Sequence, residues 1–425
     1  MALWAALRWA GISTALRIVL GFFSAKVSAV YLGPAGMALV GQVNNFLQVA
    51  TGAIANGAST AIVNLTAVHG SDSEHLGRLW GTAMRLVLGM AAVAAVLTAV
   101  AAVPLSAWLL LTGSYWPVLV VAAVAMLMAV ADNVILGAMN GLKRVRLVAS
   151  AGIASTIVEF CVFAGFTYLF GLWGGLLGIV TIYGTKLAVS STVALRSGLL
   201  SPRTLIGHFD RGIAREIAHF YPMLLAQSIA LPFGQILVRN AMIRGFGLEQ
   251  AGYLQATWRL SDMYVGVLTT ALGLYFMAHF AALPTERERG IMLRRTIAQM
   301  FVFTAAAAIG IYLLRDQIIR VVLTRRFAPM AALLPFQLLG DVFKMVDYPL
   351  QMALVSQRRV RAYIVQAVGG PASYVVLSYV WRPVLGLQAA PAAYAASYVL
   401  ALVVLVIALR TTLGISSRKA DAPRP

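Results

Sequence analysis

Apolar stretches about twenty residues long follow one another along almost the whole chain, broken only by short clusters of Gly, Pro and charge. A helix needs about 20 mostly apolar residues to cross the hydrocarbon core of a bilayer. Reading breaks at those clusters gives twelve candidate spans. They run near 10–30, 39–67, 79–103, 115–138, 147–169, 172–195, 219–243, 251–280, 295–313, 329–354, 361–380 and 387–409. Composition agrees: 60% of the 425 residues are apolar and 11% are Asp, Glu, Lys or Arg, against roughly 25% charged in soluble domains. So few charges cannot screen that much apolar surface from water, and the bilayer must be the solvent. The expected fold class is all-α, a polytopic membrane protein of about twelve transmembrane helices. The first apolar stretch holds Arg17 and Lys26 and lacks a small-residue cleavage site, so it reads as a retained helix rather than a cleaved signal.

The formal net charge of +19 belongs to cytoplasmic loops rather than to a nucleic-acid surface, and no nucleic-acid partner is expected. The N-terminus, the even-numbered loops and the C-terminus hold twenty Lys and Arg, counting those at the first residue of a span. The odd-numbered loops hold six. That asymmetry places both termini in the cytoplasm. Loop nine departs from it, with Arg315, Arg320, Arg325 and Arg326 on the expected outer side. Two readings stay open: an outward helix end that meets an acidic sugar, or a boundary wrongly drawn. Cys161 sits in an apolar run, the five histidines are scattered, and no Cys/His cluster has metal-ligand spacing. Neither a metal nor a cofactor is expected.

The chain also repeats itself. Leu142-Lys143-Arg144-Val145-Arg146 follows the fourth span and Gln357-Arg358-Arg359-Val360-Arg361 follows the tenth, 215 residues on. Asp132 falls on Asp347 at the same offset, and Ala35-Gly36 falls on Ala251-Gly252 at 216. Six helices per half with the same loop sidedness imply a parallel pseudo-two-fold repeat about the membrane normal, with a central cavity between the halves. The expected organisation is a six-helix lobe over 1–195, a cytoplasmic linker and hinge over 196–218, a second six-helix lobe over 219–409 and a cytoplasmic tail over 410–425.

Charges inside the spans point to function, because a charge near the bilayer centre costs about 2.5 kcal/mol or more. The basic ones are Arg17, Lys26, Arg85, Lys186, Arg239, Arg259 and Lys344; the acids are Asp132, Glu159, Asp262, Asp341 and Asp347. Helical spacing gathers several into stripes. Ser13, Arg17, Gly21, Ser24 and Ser28 share one face of the first span, and Asn45, Gln48, Gly52, Asn56 and Ser59 one face of the second. Ser228, Gln235 and Arg239 stack on the seventh, and Gln255, Arg259 and Asp262 on the eighth with Trp258 beside them. The tenth carries Gln337, Asp341, Lys344, Tyr348 and Gln351, with Asp347 one turn from Lys344. The simplest packing points these stripes at one wet cavity. Blander readings stand beside it. Arg85 and Lys26 snorkel to headgroups, Glu159 pairs with Lys186, Arg259 pairs with Asp262 at i, i+3, and the Asn45 stripe glues helices together. A cavity with more cations than anions suits an anionic group, since the Arg fork matches phosphate oxygens. Trp258, Tyr253, Tyr264 and Tyr275 offer flat faces to sugar rings.

The segment Ala251-Gly252-Tyr253-Leu254-Gln255-Ala256-Thr257-Trp258-Arg259-Leu260-Ser261-Asp262-Met263-Tyr264, running into Gly273-Leu274-Tyr275-Phe276, resembles the hallmark of Wzx-type O-antigen and enterobacterial-common-antigen translocases. Arg17, Lys26 and Gly33-Pro34-Ala35-Gly36 resemble that family's first helix and loop. The resemblance extends over nearly the whole chain. It implies membership of the multidrug/oligosaccharidyl-lipid/polysaccharide exporter superfamily, and a flippase rather than an enzyme. The implied cargo is an undecaprenyl-pyrophosphate-linked oligosaccharide, moved from the cytoplasmic to the periplasmic leaflet of the bacterial inner membrane. By the same resemblance Arg17, Lys26, Arg259 and Asp262 match motif positions where the family carries charge; Arg239 and Lys344 match less closely. The expected substrate site is Arg17, Lys26, Arg239, Arg259, Lys344, Gln255, Trp258 and Asn45, with Asp262 and Asp347 as coupling carboxylates. Membrane lipid, a polysaccharide polymerase and a chain-length regulator are the implied partners. No nucleotide-binding glycine loop is present, so a gradient, the membrane potential or product removal must drive transport. A cation-coupled drug exporter or a lipid II flippase of the same superfamily, or a membrane glycosyltransferase or polymerase, are the alternatives.

Overall fold

The computed structural model describes residues 2–69, 72–198, 209–357 and 359–410. Residues 199–208 of the expected linker and 411–425 of the expected tail lie outside the described residues. Among the described residues every regular element is a helix: α1 (Ala2–Val27), α2 (Gly33–Val68), α3 (Ser73–Val100), α4 (Ala102–Leu110), α5 (Trp116–Gly141), α6 (Val145–Arg196) and α7 (Arg211–Ala218), then α8 (Tyr221–Phe246), α9 (Leu248–Ala282), α10 (Glu286–Leu313), α11 (Arg315–Val322), α12 (Leu334–Ser356), α13 (Val360–Leu385) and α14 (Ala389–Ala408), with short 3-10 and π turns between them. The protein is an all-α, multi-pass membrane protein.

By length and composition, six apolar segments among the described residues can cross a bilayer. Three of these are far longer than one crossing. As a straight rod, the 52 residues of α6 would reach about 78 Å, more than twice the ~30 Å hydrocarbon core. Instead Gly171 breaks it with φ 57° and ψ −130°, a conformation strained for any residue with a Cβ and open to glycine. The two arms fold back side by side, so Lys186 Nζ comes within 3.5 Å of Glu159 Oε1. In the same way Gly386, with φ 58° and ψ −133°, turns α13 into α14, and Gly33, with φ 65°, turns the end of α1 into α2. The spans α8, α9 and α12 are the polar ones, holding Arg239 and Arg244, then Arg259 and Asp262, then Asp341, Lys344 and Asp347.

Helix starts follow local chemistry. Asp72 caps α3, accepting from the amides of His75 at 3.0 Å and Glu74 at 3.1 Å. Those donors, His75 first, hold its carboxyl below the usual carboxylate range. Asp210 caps α7 through Gly212 and Ile213. Thr285 and Glu288 form a reciprocal capping box at the start of α10. That box begins the helix at Glu286, nine residues before the expected 295. Ahead of α12, residues 325–332 form a 3-10 turn that meets the helix at 64°, so the single span expected over 329–354 is a broken one. The region expected to be plain loop nine contains α11.

The chain forms two compact units, Met1–Asn240 and Ala241–Pro425. In the first, α2, α3 and α5 share a core of Ile54, Ala58, Ile62, Leu79, Val87, Val134 and Ala138, and Ile213 and Ile217 of α7 join it. Trp80 Nε1 reaches Thr66 Oγ1 inside that core at 2.9 Å. In the second, α12 lies between α9, α10 and α14, and the small residues Ala389, Ala390, Ala393 and Ala395 of α14 are buried, which lets helices approach closely. Gly340 of α12 is one such approach, because a Cβ there would enter the Tyr394 ring.

The backbone repeats at the offset read from the sequence. The residues that cap α6 and α13 are Arg144 (φ −82°, ψ 57°) and Arg359 (φ −82°, ψ 63°), 215 apart. Gly171 and Gly386 are also 215 apart and share their conformation. Asp132 and Asp347 are both buried.

Candidate substrate-binding site

The polar stripes expected on the second and seventh spans pair with each other. Within the first unit Asn45 Nδ2 donates to Gln235 Oε1 at 3.0 Å, and Asn56 Nδ2 to Ser228 Oγ at 2.7 Å. Arg239 Nη1 donates to Gln42 Oε1, whose amide nitrogen donates to Asn240 Oδ1 at 2.6 Å. Tyr221 OH completes the seam on Ile54 O at 2.8 Å. Asn45 and Arg239 are both buried, Arg239 completely. These two site candidates join α2 to α8. Gln42 and Asn240 are not among the expected site residues, although Gln42 stands one turn before Asn45 on the same helix and Asn240 directly follows Arg239.

In the second unit Asp341 of α12 is the organising residue. It is fully buried, where an unpaired carboxylate would be costly. Ser261 Oγ donates to it at 2.5 Å, Tyr264 OH at 2.6 Å, Tyr394 OH at 3.0 Å and Gln337 Nε2 at 3.3 Å. Two of these donors come from α9 and one from α14, so the carboxylate fixes three helices together. Locking Ser261 and Tyr264 inward turns the neighbouring face of α9 the other way. On that face Asp262 is 65% exposed at its side chain and meets Lys344 Nζ at 3.9 Å. Arg259 lies within electrostatic range of Asp262. Its Nε is buried and, among the described residues, has no hydrogen-bond partner.

The structure therefore brings Arg259, Asp262 and Lys344 together, with Gln255 half-buried one turn before Arg259 on α9. The i, i+3 ion pair between Arg259 and Asp262 gives way to a pair across helices, because Lys344 on α12 is the cation within 4 Å of Asp262. Trp258 does not join them. It is buried, with its ring edge-on to Tyr374 at 6.5 Å. Asp347 also points elsewhere. Its Oδ2 accepts from Gln351 and, at 3.2 Å, from Gln366 on α13.

In the first unit Arg17 is exposed on α1, within electrostatic range of Glu159 on α6, which pairs with Lys186. Lys26 is half-buried nine residues on. Each unit thus carries two cations beside a partly exposed carboxylate, Arg17 and Lys186 with Glu159 in the first and Arg259 and Lys344 with Asp262 in the second. A buried carboxylate, Asp132 or Asp341, lies within electrostatic range of the lysine of each. Each cluster presents a guanidinium, that of Arg259 with its Nε lacking a hydrogen-bond partner among the described residues, and a guanidinium is suited to bind the oxygens of an anionic group.

No family model matches the sequence. The chain is 25% identical over 391 residues to the lipid III flippase of Escherichia coli (strain K12), an alignment covering 92% of this chain and 94% of that protein. The fold is similar to that of a multidrug resistance MATE family transporter of the MOP superfamily in its inward-facing conformation, with a TM-score of 0.78, 14% identity and coverage of 97% and 100% of the two chains. It is also similar to lipid II flippase MurJ in an inward closed conformation, with a TM-score of 0.74, 12% identity and coverage of 94% and 87%. The proteins it resembles are flippases and transporters rather than enzymes. The chain is a multi-pass membrane protein with the fold of the MOP superfamily transporters.

Proposed function

We propose that this protein is a flippase that carries an undecaprenyl-pyrophosphate-linked oligosaccharide, of the O-antigen or enterobacterial-common-antigen type, from the cytoplasmic to the periplasmic leaflet of the inner membrane. The observation that carries the reading is the pair of two-cation clusters, Arg17 with Lys186 and Arg259 with Lys344, each beside a partly exposed carboxylate, Glu159 or Asp262. A pyrophosphate offers negative oxygens to those guanidinium and ammonium groups, and Arg binds them as a fork. The alignment with a lipid III flippase over nearly the full chain supports the same cargo class.

In this reading both termini are cytoplasmic, residues 1–195 and 219–409 form the two repeats, 196–218 links them and 410–425 is a tail. The headgroup is accepted on Arg17, Arg259 and Lys344, and Gln255 binds sugar hydroxyls. Lys26 sits at the outer end of α1 as a later contact. Arg239 and Asn45 act through the α2–α8 seam, and Trp258 through the packing behind Arg259. Transport proceeds by alternating access, with Asp262 and Asp347 as the carboxylates that couple it to an ion or proton gradient. A polysaccharide polymerase and a chain-length regulator receive the product.

The test is rescue of a host lacking its own lipid-linked-oligosaccharide flippase. Wild type restores surface glycan, and Arg17→Ala and Arg259→Ala at matched expression do not. A membrane-inserted wild type that fails in several sugar-repeat backgrounds overturns the cargo assignment and leaves a drug exporter of the same fold.

A further inference from the structure

Successive spans alternate in direction, so the α8–α9 turn, the α10–α12 connection and the α13–α14 turn of the second unit share one end. Contacts bear this out. Arg382 Nη1 donates to Ala241 O at 3.2 Å, Tyr253 stands edge-on to Phe327 at 6.2 Å, and Gln388 Nε2 reaches Ala332 O at 3.4 Å. This end carries Arg244, Arg315, Arg320, Arg325, Arg326 and Arg382 against Glu249 and Asp316. In the first unit the matching connection, residues 102–115, has no charged residue. The basic end therefore belongs to one repeat only, and the positive-inside pattern does not account for it.

Its surroundings say what it meets. Ile319 is buried and seats α11 on the unit, while Arg320 and Val321 beside it face outward, Val321 at 73% exposure. Leu313 and Leu314 just before α11 are also exposed. Buried Phe327 and Met330 pin the 3-10 turn and leave Arg325 and Arg326 outside. Arg315 lies over the Tyr312 ring at 4.4 Å and donates to Tyr312 O at 2.9 Å. Exposed apolar side chains alternating with arginines, beside a tyrosine, are what a helix lying in the membrane interface presents.

We infer that α11 and the 3-10 turn after it form an interfacial binding site for the phosphate headgroup of an anionic glycerophospholipid, with Arg320, Arg325 and Arg326 on the phosphate and Leu313, Leu314 and Val321 against the acyl chains. A glycan or a free phosphate would leave those three apolar side chains in water; a lipid covers them. On the proposed orientation the lipid belongs to the periplasmic leaflet. It holds the otherwise misplaced arginines at the bilayer surface.

Native mass spectrometry of the full, delipidated protein tests this. Phosphatidylglycerol and phosphatidylcholine of the same acyl composition are added separately, and glycerol phosphate serves as a soluble control. The expected result is preferential binding of phosphatidylglycerol, lost in R320Q/R325Q/R326Q and kept in R287Q at the opposite end. An interfacial arginine is worth about fivefold in affinity for an anionic surface, so the triple variant loses at least tenfold. Should the triple variant fold poorly, high salt on wild type erases the same preference. Equal binding of the two lipids, or a preference that survives both the triple substitution and salt, overturns the site. Glycerol phosphate binding as tightly as the lipid overturns the acyl half of it. None of these arms measures flipping, so this inference and the proposed cargo fail separately.

Discussion

Tyr264 on α9 and Asp341 on α12 share a 2.6 Å hydrogen bond, and with Ser261 that bond sets the rotation of α9 against α12. Arg259 and Asp262 flank Ser261 in sequence, so the inward lock and the outward charges are two faces of one helix. Replacing Asp341 by Ala takes the acceptor from Ser261, Tyr264 and Tyr394, while Gln337 keeps Ser261 Oγ at 3.3 Å; each buried donor left unpaired costs about 1–3 kcal/mol. Asp341→Ala should lower the thermal unfolding temperature in detergent by many degrees. Tyr264→Phe removes one interhelical bond, worth about 0.6 kcal/mol on average in membrane proteins. It should move that temperature little, and scanning calorimetry or a thermal-shift assay separates the two.

Asp262 and Lys344 should behave in the opposite way. At 65% exposure of the Asp262 side chain and 3.9 Å, their pair contributes roughly 0–1 kcal/mol. Asp262→Asn should leave unfolding unchanged and alter the pH profile of transport. Normal flipping across the full pH range in both Asp262→Asn and Asp347→Asn would remove carboxylate coupling from the account.

Arg239 is completely buried and donates to Gln42, so its charge serves the α2–α8 seam. Arg239→Ala should destabilise the protein by about 1–3 kcal/mol and, with Gln42→Ala, show a coupling well above additivity. A double-mutant cycle on unfolding measures it. Additive losses would mean that the two side chains act independently.

At Gly171 and Gly386 an added Cβ meets open space, yet both hold positive φ with strongly negative ψ. The cost of alanine there is backbone strain alone, about 1–3 kcal/mol per site. Gly171→Ala and Gly386→Ala should lower thermal stability by similar amounts, since the two turns are copies of each other. A large difference between them would show that the repeat ends before these turns.

Much of this was legible from residue patterns because the bilayer imposes a length and an apolar composition on each crossing. The spans follow from those constraints, and the 215-residue repeat from the basic loops and aspartates that recur at one offset. Asp132 and Asp347, matched by offset alone, are both buried in the structure. The early start of α10 was hidden in Thr285 and Glu288, a capping signal that hydropathy does not register. The eight-residue α11 is too short to show a period against the apolar helices around it. Asp341 was visible as one member of a stripe, but its four donors arrive from three helices. Periodicity along one helix cannot say which residues of another will meet it. Trp258 shows the same limit: it stands beside a charged stripe in sequence, and the ring it meets edge-on, Tyr374, comes from another helix.

The most direct test of the central claim is flipping in vesicles. Wild type and Arg259→Ala are reconstituted at equal density with a fluorescent undecaprenyl-pyrophosphate disaccharide, and access of a membrane-impermeant quencher is followed over time. A charge-assisted contact to phosphate is worth about 1.5–3 kcal/mol, so wild type should equilibrate the lipid between leaflets and Arg259→Ala should do so at least tenfold more slowly. Equal rates in the two proteins, or no movement by folded wild type, would contradict a flippase that grips its cargo through this arginine.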